Sequence, residues 1–263
     1  MPDIRILNNG NTISVNLAEG NDLWGYVTAV PDEDMFRITD FYVAKEHRNQ
    51  GYGSMILNSL TDVVGDLIAC DEIYATYTLS DKTRDFYDFL ESAGFVENED
   101  YQSDVYSFTL QDLSDNLKRF DNSPRISEFT RLEDCPSYVW HNLEAHVNTL
   151  TDPVVLREMA DYDKEHSFFL IKDKAPLACC LVSHGADPSK TGINLDYLYN
   201  ESGDPVELLT LIVCVYKGLT DSFPKETRIY TNAINPDVVR LLKKLCDVSL
   251  VLEGKAVLQS LVF

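Results

Sequence analysis

Positive charge is scarce in this chain. Its 263 residues carry 22 Lys and Arg against 43 Asp and Glu, a formal net charge of −21. A field of that sign repels nucleic acid and anionic lipid, so neither is expected as a partner, and it attracts cationic small molecules. Long apolar runs are also missing. No uninterrupted stretch approaches the ~20 residues that a bilayer requires. The polar start Met1-Pro2-Asp3 lacks a signal-peptide core, so a cytoplasmic location without membrane association is expected. The six cysteines (Cys70, Cys135, Cys179, Cys180, Cys214, Cys246) form no C-x-x-C pair and sit mostly in apolar contexts, as buried reduced thiols do. Zinc spacing is lacking: His141 and His146 are five apart, which separates them around a helix, and no metal site is expected. Neither G-x-G-x-x-G nor G-x-x-x-x-G-K-[ST] occurs, which sets aside the dinucleotide fingerprint and the Walker loop.

What is present describes a globular protein long enough for two domains, with 44% hydrophobic and 25% charged residues. The most informative stretch runs from Ile38 to Ser54. It opens with the β-branched and aromatic run Ile38-Thr39-Asp40-Phe41-Tyr42-Val43, passes through a polar turn to Gly51 and Gly53, and continues into a helical pattern of Met55, Ile56, Leu57, Leu60, Val63, Val64 and Leu67. A strand, a glycine turn and a helix in that order gather backbone N–H groups and a positive helix end around one concavity, which is an anion site. Arg48 adds a fixed cation. Residues 1–112 hold 21 acidic and only 6 basic residues, and four of those six, Lys45, Arg48, Lys82 and Arg84, lie in two neighbouring strand-to-helix turns.

The spacing Arg48-x-x-Gly51-x-Gly53 resembles the pyrophosphate-binding signature of the GNAT N-acetyltransferase superfamily. The elements after it match the family's order: the run Glu72 to Thr78, a polar turn, a helix ending in Ala93-Gly94-Phe95, and a strand near Val105 to Leu110. The resemblance implies an α/β fold with a mixed, mainly antiparallel twisted sheet flanked by helices, and acetyl-coenzyme A as cosubstrate. It implies that Arg48, Asn49, Gln50, Gly51, Tyr52, Gly53 and Ser54 cradle the pyrophosphate, and that a backbone N–H among Phe41, Tyr42 and Val43 polarises the thioester. It also implies a helix tyrosine that protonates the departing thiolate. Counted forward from Ser80 this is Tyr87; counted back from Gly94-Phe95 the position is Leu90, and the forward count is preferred because the helix start faces the cofactor. The alternative for Tyr87 is core packing. Asp40 is the candidate base, placed by strand alternation on one face with Ile38 and Tyr42. Thr39 to Val43 is similar to the acidic strand segment of spermidine/spermine acetyltransferases, with Thr39 in place of one acid. The alternative for Asp40 is a strand-edge or bulge residue.

Ile4 to Val30 reads as β-hairpins, so the two early helices of the family are not expected in the first half. The polar Gln111 to Pro124 reads as a boundary, dividing the chain into a domain at 1–112, a linker at 113–125 and a domain at 126–263. The second half repeats the family's order, here with early helices at Pro136 to Val147 and Asp152 to Tyr162. Its signature does not repeat: Asn200-Glu201-Ser202-Gly203-Asp204-Pro205 lacks the arginine and carries acids that repel a phosphate. Leu242 stands where the forward count seeks a tyrosine. The expectation is therefore a tandem of two GNAT-like domains, the second degenerate, as a monomer or homodimer that acetylates an amine acceptor. The competing reading is a non-catalytic acetyl-coenzyme A-binding or protein-interaction module.

Overall fold

The computed structural model describes residues 2–32, 34–65, 70–117, 124–147, 156, 158–184, 192–232, 236–246 and 249–262. The chain divides into two compact units, Met1–Gln102 with Lys255–Phe263, and Ser103–Gly254.

The first unit begins with the meander β1 (Asp3–Asn8), β2 (Ile13–Glu19), β3 (Asp22–Asp32) and β4 (Met35–Val43). A 3-10 turn at Lys45–His47 leads to α1 (Tyr52–Gly65), then β5 (Glu72–Leu79), α2 (Arg84–Ser92) and the short β6 (Val96–Glu97). Neighbouring strands of the meander pair antiparallel, and β4 pairs parallel with β5. Alternation buries Ile13, Val15 and Leu17 of β2 and Val27 and Ala29 of β3 on one face. The stripe Ile56, Leu57, Leu60 and Val64 of α1 covers that face, and Leu90 of α2 joins the same core. Among the described residues of this unit no helix precedes the 3-10 turn, in line with the hairpin reading.

The second unit contains β7 (Ser103–Thr109), α3 (Leu110–Leu117), β8 (Phe129–Arg131) and α4 (Ser137–Val147). Then follow β9 (Phe168–Lys172), β10 (Ala175–His184), β11 (Gly192–Asn200), α5 (Pro205–Ser222), β12 (Arg228–Asn232), α6 (Pro236–Cys246) and the first residues of β13 (Val251–Val262), which from Lys255 onward belongs to the first unit. The strands β8 to β11 pair antiparallel in sequence, and β11 pairs parallel with β12. The core is split by the sheet. Leu113, Leu211 and Leu242 lie in one cluster, and Val139, Trp140 and Leu143 of α4 lie in another. Cys179 and Cys180, neighbours on β10, point one into each cluster, as strand residues must.

Two features depart from the sequence reading. The stretch assigned to the start of a linker at 113–125 is in part the helix α3, with Leu110, Leu113 and Leu117 buried; residues 118–123 lie outside the described set. The closing strands are also exchanged. Beside β5 stands not β7 but the end of β13, from Lys255↔Leu79 to Val262↔Glu72, with β6 on its far side. Beside β12 stands β7. The compact units therefore do not follow the division at 1–112 and 126–263, because two β-rich closing segments are interchangeable by local pattern. Of the expected helix at Asp152 to Tyr162, residues 152–155 and 157 lie outside the described set, and the described part holds a 3-10 turn at Met159–Asp161.

Candidate active site

The site is built where β4 and β5 part. Their parallel pairing runs only from Met35↔Glu72 to Ile38↔Ala75, so the rest of β4 has no partner on that edge within the ladder. The Ala44 amide donates to Trp24 O at 2.8 Å, on the β3 side. By alternation Val43 and Phe41 turn their peptide groups the other way, into the gap. The Val43 carbonyl is already used: Arg48 Nε donates to it at 2.9 Å. This bond ties the signature arginine to the strand end.

Past Arg48 the chain enters α1 through two left-handed residues, Asn49 (φ 59°) and Gly51 (φ 82°). Gln50 Nε2 donates to Glu46 O at 2.7 Å across this turn. The first helical bond is Met55 N to Gly51 O at 3.0 Å, which leaves the amides of Tyr52, Gly53 and Ser54 ahead of it without helical acceptors. Gly51 has no side chain with which to cap them, and the first turn holds no acid. A Cβ on Gly51 meets nothing within 4 Å, so the space beside the turn is open. At Gly53 the Cβ position is 3.5 Å from Phe41 Cζ, so the strand end and the helix start converge there. Tyr52 packs edge-on to Trp24 at 5.1 Å, and His47 stacks on Trp24 at 4.1 Å, pinning the 3-10 turn.

The aromatic side of the gap is formed by Phe41, whose ring lies 5.5 Å from Phe86 and 5.2 Å from Phe89 of α2. Tyr87, one residue on, donates to Glu97 Oε2 at 2.5 Å. That hydrogen bond, then burial, pushes the Tyr87 hydroxyl up to about 12. The Arg84 guanidinium sits 4.8 Å over the Tyr87 ring and pairs with Asp88 at 2.9 Å. Leu90, the alternative position, is fully buried in the core.

Asp40 is not where alternation from Ile38 places it. The β3–β4 register runs Thr28↔Asp40 and then Ala29↔Ile38, so Thr39 is an extra residue in a β-bulge. Past the bulge, Phe41 and Val43 continue the helix-covered face. Asp40 and Tyr42 lie on the opposite face, where Tyr42 is 41% exposed and 5.7 Å from the Tyr26 ring. Asp40 Oδ2 accepts from Tyr26 OH at 2.7 Å. The structure thus brings Phe41, Arg48, Gly51 and Gly53 together, sets beside them the helix that carries Tyr87 through Phe86 and Phe89, with the Tyr87 hydroxyl turned to Glu97, and sends Asp40 and Tyr42 to the other face. Trp24, Tyr26 and Glu97 are site neighbours without a motif of their own.

Residues 3–95 match the model of the acetyltransferase (GNAT) family. The match lies within the first unit and spans just over a third of the chain. Among solved structures, the tandem GNAT protein from the clavulanic acid biosynthesis pathway superposes with a TM-score of 0.67 at 11% identity, over 95% of this chain and 82% of its own. A GCN5-related N-acetyltransferase from Sphaerobacter thermophilus gives 0.58 at 13% identity, over 97% and 82%. At such identities these likenesses concern the fold, and they extend the GNAT architecture over both units. No curated protein matches the sequence.

Against the GNAT turn of the first unit, the corresponding turn of the second is closed upon itself. Its strands part in the same way, β11 pairing with β12 only as far as Leu195↔Thr231. The helix that follows, α5, is capped by its own carboxylate: Asp204 Oδ1 accepts from Val206 N at 2.8 Å, and Pro205 takes the first helical position. Arg125 binds Asp204 at 3.1 Å and also pairs with Glu207. Backbone bonding from Val206, then Arg125, holds the Asp204 carboxyl below its ordinary value. Where the sequence suggests repulsion of a phosphate, the geometry adds a resident anion in its place. Among the described residues no group of His, Cys, Asp and Glu is arranged to hold a metal ion, and no helix is long and apolar enough to cross a membrane.

Proposed function

We propose that the first unit transfers the acetyl group of acetyl-coenzyme A to a primary amine of a small cationic acceptor, by direct attack in a ternary complex. The observation that carries this reading is the uncapped start of α1 beside the parted strands β4 and β5. The turn suits a pyrophosphate: its donors lack helical acceptors, Gly51 leaves room for close approach, and Lys45 and Arg48 supply charge in an otherwise acidic half. The bound cosubstrate supplies a thioester carbonyl and a thiolate leaving group.

The chain's own residues divide the chemistry between the two faces of the sheet. The Phe41 or Val43 amide, turned into the gap, polarises the carbonyl. Asp40, on the open face, accepts the ammonium proton directly or through water. Its Oδ2 is fixed by Tyr26, and Tyr26 and Tyr42 offer aromatic faces to a cation. As the amine nitrogen bonds to the carbonyl carbon and the C–S bond breaks, Tyr87 on the opposite face gives its proton to sulfur. A base on one face and an acid on the other match the entry of the nucleophile and the exit of the leaving group.

Calorimetry with coenzyme A tests the reading. One equivalent should bind per chain. Gly51→Asp, which puts a carboxylate at the entry of α1, should abolish binding, whereas Gly51→Asn, of the same shape and with the same cost of a side chain at positive φ but without charge, should weaken it far less. Two equivalents, or equal binding by both variants, overturns the assignment. An amine screen that measures released coenzyme A thiol tests transfer. There Tyr87→Phe should lower kcat about 10²- to 10⁴-fold and leave coenzyme A affinity unchanged.

A further inference from the structure

Tyr87 occupies the first turn of a surface helix, and a tyrosine there has rotamer freedom to lose before it can act as an acid. What restrains it comes from two distant parts of the chain. Glu97 Oε2 accepts from Tyr87 at 2.5 Å, and Glu97 Oε1 accepts from Gln102 Nε2. Both donors are neutral, so the charge of Glu97 is directed at a phenol and an amide rather than at a guanidinium or ammonium group. Glu97 is itself held by the exchanged strand, paired Gln259↔Glu97 and Ser260↔Val96, with Asn98 N donating to Leu258 O at 2.9 Å. Gln259 is 1% exposed. Its Oε1 accepts from Tyr77 OH, and its Nε2 is a buried donor without an acceptor in the structure. The Tyr77 ring in turn meets Phe86 edge-on at 5.1 Å, next to Tyr87 on α2.

We infer that Glu97 is the positioning residue for Tyr87, and that residues 255–262, through Gln259, hold it in place, so that the end of the chain is part of the transferase site of the first unit. This rests on Tyr87 being the acid. Glu97 fixes the direction of the hydroxyl and opposes its ionisation, because a phenolate beside a carboxylate is costly. It keeps the phenol protonated through the working pH range, so that the proton is still on Tyr87 when the thiolate leaves beside it. Tyr77 answers to the same charges: burial, then Tyr87 and Glu97, pushes its hydroxyl up as well.

The test uses the full chain labelled with ¹³C in the tyrosine ring, with the Tyr87 signal assigned by its loss in Tyr87→Phe. In the wild-type chain this signal should remain that of the neutral phenol up to about pH 11. In Glu97→Gln, which retains an acceptor of the same shape without charge, the midpoint should fall toward about 10, the ordinary tyrosine value. Identical titrations overturn the proposal whether or not any amine is acetylated. With acetyl-coenzyme A and 1,4-diaminobutane as the assayed pair, the alkaline limb of kcat should move to lower pH in Glu97→Gln. Gln259→Met, which keeps the volume and removes both polar atoms, should lower kcat about tenfold and leave coenzyme A affinity within about twofold. Loss of affinity and kcat together would show Gln259 to be packing only. A shifted Tyr87 midpoint with no transfer to any amine would retain the positioning role and discard the transferase reading.

Discussion

Thr39 is one residue more than its strand can pair, and that extra residue decides what Asp40 can do. A bulge moves every later side chain to the other face, so a period of two counted from Ile38 arrives at the wrong side of the sheet. Thr39 itself bonds back to Thr28 O at 3.3 Å. Nothing in Ile38-Thr39-Asp40 distinguishes a bulge from a regular strand, which is why the strand-to-helix turn of the candidate site was legible from Gly51 and Gly53, whose spacing is local, and the face of Asp40 was not. A second residue-scale case lies in the second unit, where Asp163 Oδ2 joins His166 Nδ1 and His184 Nε2, each at 2.6 Å. Burial raises the Asp163 carboxyl, and hydrogen bonds from the two imidazoles more than offset it, so the net shift is downward from 3.8. A depressed folded value gives stability that is present above the unfolded value and is lost as pH falls through the folded one. Asp163→Asn should therefore melt lower than wild type at pH 5, and the gap should narrow below about pH 4. A gap unchanged down to pH 2, followed by circular dichroism, would show that Asp163 is not linked to acid unfolding.

At the scale of elements, apolar periodicity and turn chemistry placed most of the helices and strands, with α3 the helix they passed over, because those signals are carried within ten or so residues. What they could not carry is the distance between elements. Gly25 looks like an unremarkable strand residue, yet a Cβ there falls 2.7 Å from Tyr42 O and 2.8 Å from Ile56 Cδ1. Only glycine allows α1 to lie this close to β3, and the closeness sets where the uncapped turn meets the end of β4. Gly25→Ala should cost about 1 to 3 kcal/mol by overpacking, measured by urea unfolding. Ile56→Val in the Gly25→Ala background removes one of the two collisions and leaves the one with the carbonyl. The double variant should thus recover part of the loss, and the coupling energy reads the contact directly. Additive effects would mean that β3 moves to admit the methyl group. The contrast between α1 and α5 belongs to this scale too. Both follow parted parallel strands, and the residue that enters the helix, a left-handed Gly51 or an extended Asp204 paired with Arg125, separates an open turn from a filled one.

At the scale of the whole molecule, the exchange of closing strands changes what a domain of this protein is. The first unit obtains from residues 255–262 the eight residue pairs that cover the inner edge of β5, along with Gln259 beneath Tyr77 and Leu261 beside Gly94. A fragment ending at Asp112 has none of these. It can offer only Ser103–Thr109, whose buried Val105, Ser107 and Phe108 place no amide side chain under Tyr77. An unpaired β5 leaves a row of backbone donors and acceptors and an apolar edge exposed, a state prone to association. Fragment 1–112 should therefore unfold with a low midpoint and little cooperativity, whereas residues 1–102 joined to 255–263 through a Gly/Ser linker should unfold cooperatively and bind coenzyme A. Calorimetric unfolding and coenzyme A titration of the two fragments decide between them. If 1–112 matches the fused fragment in both, β7 can replace β13 beside β5, and the exchange contributes nothing to the first unit's stability. If the fused fragment alone folds, chain order and domain are distinct in this protein, and any dissection must follow the sheet rather than the sequence.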